Sequence, residues 1–144
     1  MEYRDFQHKL PIEVRFSDID MLGHVGNVVY QAYYENAVVS YFEKIIKIDD
    51  LLGDINYVIA ELNIKYLKPV LYPADLVMEI GATAIGRKSI DLAARLLNEQ
   101  GEICATYRST AVAFYVPEQV SMPIPQQWRQ NIMDYEIIAP RQKT

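Results

Sequence analysis

The chain has 144 residues, a net charge of −5 and a 51% hydrophobic content, the size and balance of one ordinary domain with a proper core. No apolar run approaches the roughly 20 residues that cross a bilayer, and the opening MEYRDFQHKL is charged where a secretory leader is apolar. The acidic balance, with a pI near 5.0, and the lack of a long basic run argue against general nucleic-acid binding.

Cys104 is the only cysteine, so no intrachain disulfide forms, which fits a reducing cytoplasm. It reads as a small buried hydrophobe rather than a reactive thiol. There is no CxxC, no HExxH, no glycine-rich phosphate loop and no internal repeat, so neither a metal nor a nucleotide cofactor is expected.

Residues 1–10 read as a polar lead-in. Ile12, Val14 and Phe16 alternate with Glu13, Arg15 and Ser17, the period of a half-buried strand. Asp18 to Gly26, rich in Asp and Gly, reads as a loop. From about Asn27 to Ile48 the period turns helical, with Asn27 suited to the cap or first turn. Tyr30, Tyr34, Ala37, Val38, Tyr41, Ile45 and Ile48 form one apolar stripe, and Ala32, Val39, Phe42 and Ile46 form a second beside it. Together they cover well over half the circumference, which predicts a helix wrapped by a curved sheet. Gln31 and Glu35 break the apolar arc in its first turns. Glu35 either reaches a solvated or paired rim or acts near the site as a second carboxylate.

An acidic break at Asp49–Asp54 precedes a strand-rich half. Strands are expected over Tyr57–Tyr66, Leu76–Ile85, Ser89–Leu97 and Ile103–Val116, with tight connections at Gly86-Arg-Lys and Asn98-Glu-Gln-Gly-Glu. Pro125–Tyr135 reads as a short helix with Trp128 and Ile132 at a four-residue step, and the tail after Pro140 reads as loose. Short connections favour antiparallel pairing, so the expected architecture is α+β: one long helix, then a meander curled around it.

The stretch Val14–Tyr34 carries the chemistry. Asp18, Asp20, Gly23, His24 and Asn27 gather immediately before a helix start. Unpaired N–H donors at that start suit a developing oxyanion, and a carboxylate beside them serves as base or nucleophile.

The signature Asp18-Ile-Asp20-Met-Leu-Gly23-His24-Val25-Gly26-Asn27-Val-Val-Tyr30 resembles the hotdog-fold thioesterases of the 4-hydroxybenzoyl-CoA thioesterase family, in its acyl-CoA thioesterase branch. The resemblance continues through Lys65-Tyr-Leu-Lys-Pro-Val, Tyr72-Pro-Ala-Asp, Gly86-Arg-Lys-Ser, Gly101 and Pro123-Ile-Pro125, nearly the whole of residues 1–144. It implies a single hotdog domain with a five-stranded antiparallel sheet around one long helix. It also implies a homodimer or dimer of dimers, and metal-free hydrolysis of an acyl-CoA to free acid and CoA. CoA is then part of the substrate, and no cofactor is implied.

Carried across, Asp20 matches the catalytic carboxylate, as nucleophile or general base. Asn27 falls where the family places a backbone N–H against the thioester carbonyl oxygen. His24 matches the motif histidine, orienting carboxylate and substrate, or else packing the loop. Gly23 allows the sharp turn, Asp18 bonds nearby backbone N–H groups or backs up the site, and Tyr30 is pocket wall or core. Arg87 and Lys88 match a region used near CoA, with Lys65, Lys68 and Arg108 as alternatives. One departure stands out: Gly26 replaces the usual Asn. An acyl-carrier-protein thioesterase and a non-catalytic acyl-CoA-binding module are the alternative functions.

Overall fold

The computed structural model of the protein describes residues 5–46 and 53–143. Ile48 and most of the predicted break at Asp49–Asp54 lie outside the described residues. The elements run β1 (His8–Glu13), a 3-10 turn (Phe16–Asp18), α1 (Asn27–Ile45), β2 (Ile55–Tyr66), β3 (Asp75–Ile85), β4 (Ser89–Leu97), β5 (Ile103–Tyr115), β6 (Val120–Ser121), α2 (Gln126–Tyr135) and β7 (Arg141–Gln142). The long strands order as β1-β3-β4-β5-β2, all antiparallel. This is the expected hotdog arrangement, an α+β fold with a sheet curled around α1. Two short strands extend the expected five: β6 pairs β5, and β7 pairs β3 in parallel.

The core lies between the sheet's inner face and α1. Ile90, Leu92, Ala94 and Leu96 alternate inward from β4, as their spacing predicts, and all are buried. Tyr30, Tyr34, Ala37, Val38, Tyr41, Phe42 and Ile45 bury one side of α1. Two aromatic stacks bridge helix and sheet, Tyr34 on Tyr107 at 4.8 Å and Phe42 on Tyr57 at 4.2 Å between ring centroids. The helix is less enclosed than its two stripes predict. Ala32 and Val39 are exposed, as is Val28, because the sheet of one chain curls around one side of α1. The helix ends when Ile46 turns extended at ψ 127°, and Asn131 of α2 donates to the Ile45 carbonyl at 2.7 Å, satisfying one orphan acceptor.

Three expectations need correction. Strand β1 begins at His8, inside the predicted polar lead-in, and its polar alternation is that of an edge strand. Phe16 leaves the strand: the Asp18 carboxylate accepts the Arg15 N–H while the Asp18 N–H donates to the Arg15 carbonyl, which folds Phe16–Asp18 into a 3-10 turn and leaves Phe16 73% exposed against Tyr72. The tail is not loose, since β7 docks on Ala84 and Ile85 and Lys143 reaches Asp91 at 2.7 Å.

The outer edge of β3 is covered piecewise. β1 pairs with it up to Ile80 and β7 joins at Ala84. In the gap, the buried Glu136 carboxylate accepts from the Ala82 N–H at 2.9 Å and from the Tyr41 hydroxyl. Gly81 lets this carboxylate in, because a Cβ there would sit 2.6 Å from Phe6 Cδ1 and 2.9 Å from Glu136 Oε1. Glu136→Ala strands two buried donors, each costing about 1–3 kcal/mol. The expected loss is about 4 kcal/mol, read as a Tm drop of about 10 °C for a chain of this size. Glu136→Gln, which keeps an acceptor oxygen, is expected to lose less than half as much in the same thermal melt.

Candidate active site

The motif folds as a miniature hairpin rather than the open loop expected over Asp18–Gly26. The Gly26 N–H donates to the Asp18 carbonyl at 3.0 Å, Ile19 bridges Val25, and the Asp20 N–H donates to the His24 carbonyl at 2.8 Å. Gly23 closes the tip at φ +78°, where its missing Cβ removes the strain. The second arm is pinned to the chain before β3, with Val25 N–H on the Val70 carbonyl at 2.8 Å and His24 bridged to Leu71.

The two acids of the motif have opposite environments. Asp18 is 3% exposed. Its carboxylate accepts from the Arg15 N–H at 2.9 Å, the Arg15 guanidinium at 3.0 Å and the Tyr33 hydroxyl at 2.8 Å. Burial alone would raise its pKa, but these donors outweigh it and hold the carboxyl below its usual range. Burial and the neighbouring carboxylate push the Tyr33 hydroxyl well above its ordinary range, so it stays a donor. Asp20 is exposed. Its Oδ1 accepts from the Leu22 N–H at 2.9 Å and the His24 N–H at 3.2 Å, which fixes the side chain on its own turn. Its Oδ2 has no donor among the described residues. Asp18 is therefore spent on structure, while Asp20 presents one oxygen free to meet a substrate or a water.

The helix start lies beside this oxygen's arm of the hairpin. Gly26 is the N-cap and Asn27 the first helical residue. The Val29 N–H returns to the Gly26 carbonyl, leaving the Asn27 and Val28 N–H groups without an acceptor among the described residues. Because Gly26 pairs with Asp18, Asp20 stands two extended residues, about 7 Å, from the level of that start. The unpaired amides stand at the positive end of a 19-residue helix. Gly26 has ordinary backbone angles, φ −67° and ψ 147°, and a Cβ there would meet only the Asp18 carbonyl at 3.9 Å. The missing Asn side chain therefore leaves the backbone path intact.

Around the helix start, Tyr30 is buried beneath the hairpin, with its ring 5.1 Å edge-on from Tyr66 and its carbonyl accepting from Tyr107. The half-buried His24 ring has no partner among the described residues. The Tyr66 hydroxyl lies 3.4 Å from the Asn27 carbonyl, at the rim of the helix start. Tyr33 and Tyr66 bond to the motif, at Asp18 and the Asn27 carbonyl, and were missed in the sequence reading. Their signals were there: Tyr33 is three residues after Tyr30, and Tyr66 continues the inward alternation of Leu62 and Ile64.

Glu35 and the basic pairs do not join this cluster. Glu35 is exposed and accepts from Gln31 Nε2 at 3.2 Å, eight residues or about 12 Å along the helix from Asn27. It lines a groove of about 460 Å³ between α1 and β2, with Gln31, Tyr34, Val38, Tyr57, Ile59 and Leu62. Arg87 and Lys88 sit in the β3–β4 connection, at the opposite end of β3 from the hairpin, roughly 30 Å away along the strand. They cannot meet a ligand's nearby phosphates beside Asp20 of the same chain. Lys68 is paired with Glu102. Lys65 and Arg108 open onto the outer face of the sheet, with Arg141 and Asp91. Among the described residues no three His, Cys, Asp or Glu side chains are placed to hold a metal ion, and no helix is long and apolar enough to cross a membrane.

Residues 14–132 match the thioesterase-like superfamily. A Bacillus subtilis protein, the uncharacterized YsmA, is 33% identical over 95 residues, 66% of this chain and 64% of its own length; the match thus spans just under two thirds of that relative. Among solved structures, the PA2801 protein of Pseudomonas aeruginosa, a candidate thioesterase, is 32% identical with a TM-score of 0.81, covering 89% of this chain and 99% of its own. A thioesterase from Thermus thermophilus, solved with coenzyme A and zinc, is 28% identical with a TM-score of 0.80, covering 90% and 94%. With the motif hairpin, the wrapped helix and a match over most of its length, the chain belongs to the thioesterase-like superfamily and has the hotdog fold of those thioester hydrolases.

Proposed function

We propose that the protein hydrolyses an acyl-CoA thioester to a free carboxylic acid and CoA. The observation that carries this reading is the unpaired Oδ2 of Asp20, two residues along a hairpin arm whose Asp18 carbonyl holds the Gly26 N–H at the start of α1, where two N–H groups have no acceptor among the described residues. The thioester carbonyl oxygen binds at the Asn27 end of α1, where amides and helix dipole stabilise the tetrahedral oxyanion. Asp20 either takes a proton from the attacking water or attacks the carbonyl carbon itself, expelling the CoA thiolate. In the second route water then cleaves the mixed anhydride and restores the carboxylate. His24 flanks the reacting centre, Gly23 shapes the turn, and Tyr30 supports it from below. The acyl group runs into the groove beside Gln31 and Glu35, whose lining is largely apolar.

The working unit in this reading is a homodimer or a dimer of dimers. β2 is a 12-residue strand at the end of the sheet order, a long edge that proteins seldom leave bare, and the face of α1 beside it exposes Ala32 and Val39. A second copy is also what lets Arg87 and Lys88 reach the phosphates of a CoA bound near Asp20. The test is free-thiol release by the purified protein from a panel of short, medium, long and aromatic acyl-CoAs. Turnover of at least one class is expected. Turnover confined to acyl thioesters on a carrier protein, or binding without turnover, overturns it.

A further inference from the structure

We propose that Tyr33 and Asp18 form a latch that positions Asp20 against the start of α1, so that Tyr33, outside the signature motif, is a positioning residue for catalysis. The inference rests on the reading of Asp20 as the working carboxylate.

Asp18 touches every part whose relative placement the reaction needs. Its carbonyl accepts the N–H of Gly26, the residue that starts α1. Its side chain accepts the Tyr33 hydroxyl, from the second turn of the same helix, and the Arg15 N–H and guanidinium, from the end of the arm that leaves β1. Asp20 is two residues further along, on the hairpin arm that these bonds fix. The latch ties hairpin, helix start and β1 exit into one body, with Tyr33 its hydrogen-bond donor from the body of α1. A residue buried for packing alone would be served by an apolar ring. The Tyr33 ring is 4% exposed, yet it carries its hydroxyl into a carboxylate that Arg15 already pairs.

The remaining groups around the latch do not duplicate this link. Arg15 is 73% exposed at its side chain, so its ion pair is screened by solvent. Tyr30 holds the same helix to β5 through its carbonyl and Tyr107 and, with the Val70 N–H on its hydroxyl, to the segment that pins Val25, but not to the arm that carries Asp18 and Asp20. Without the Tyr33 hydroxyl, the hairpin keeps its own hydrogen bonds, the Gly26 N–H on the Asp18 carbonyl among them, but loses the side-chain tie that holds the Asp18 arm to the second turn of α1. Errors of about 1 Å at a reacting centre cost up to about 100-fold in rate.

The decisive experiment is a double-mutant cycle of Tyr33→Phe and Asp20→Asn, with thiol release on the best acyl-CoA and a circular-dichroism melt for each variant. Tyr33→Phe is expected to lower kcat about tenfold at a temperature where all variants are folded, with KM within twofold. In the Asp20→Asn background the same substitution is expected to leave the residual rate unchanged, because there is no carboxylate left to aim. Asp18→Asn, which weakens the same acceptor, is expected to mimic Tyr33→Phe if it folds, and the cycle stands without it. A Tyr33→Phe enzyme with wild-type kcat, or with the same fractional loss in both backgrounds, overturns the latch while leaving Asp20 in place. Wild-type turnover by Asp20→Asn overturns the reading of Asp20 and the latch together.

Discussion

Asp20→Asn is expected to cut turnover by about 10²- to 10⁴-fold, the range for loss of a general base, with the fold intact. The substitution is clean for a structural reason. Oδ1 of Asp20 accepts the Leu22 and His24 N–H groups, and an amide oxygen in the same place accepts both. The turn survives while the charge and the proton-accepting oxygen at Oδ2 are removed. Asp20→Ala mixes two effects, because it also frees two turn donors. The measurement is kcat by thiol release beside a thermal melt. A large kcat loss with a Tm within about 2 °C of wild type assigns chemistry to Asp20. Turnover near wild type reduces Asp20 to a turn cap and turns attention to His24.

The contrast between Asp18 and Asp20 shows what the sequence contained and what it left open. Both acids were visible, along with the glycine turn, the histidine and the helix start, because they fall between residues 18 and 27 and their chemistry is local. Which acid does the work was not derivable from spacing, since it depends on partners far away in the chain. Tyr33 is 15 residues from Asp18, and its burial beside that carboxylate follows from the helix's orientation rather than from any local pattern. The resemblance selected Asp20, and the environments now give a physical reason: one carboxylate has three donors and the other keeps a free oxygen.

The elements followed the same division. β4 matches its predicted range Ser89–Leu97 because a central strand with one face on the core alternates, here with only the small Ala93 buried out of phase. β1 was displaced toward the N-terminus because an edge strand carries His8 and Lys9 without an apolar signature, and because the side-chain capture at Arg15–Asp18 interrupts an alternation that continues in letters through Phe16. β7 and the Glu136 plug are non-local. Two strand residues and one acidic side chain acquire meaning only when the exposed edge of β3 is beside them. Arg87 and Lys88 were placed in the right turn, but a strand's length separates that turn from Asp20.

The helix start is testable without touching a side chain's chemistry. Asn27→Pro is expected to lower kcat by about 10²- to 10³-fold, the cost of deleting one oxyanion donor, while Asn27→Ala stays within a few-fold of wild type. Proline removes the Asn27 N–H, which no described residue accepts, so no internal hydrogen bond is lost. Its fixed φ suits the first helical position, and the preceding Gly26, at φ −67° and ψ 147°, already has the extended backbone that a following proline requires. The helix should therefore persist, which a far-ultraviolet spectrum checks. The alanine variant keeps the N–H and removes only the amide side chain. If both variants lose activity equally, the side chain of Asn27 carries the effect. If proline leaves kcat unchanged, the oxyanion does not use the Asn27 N–H, and the neighbouring free amide of Val28 becomes the donor to examine.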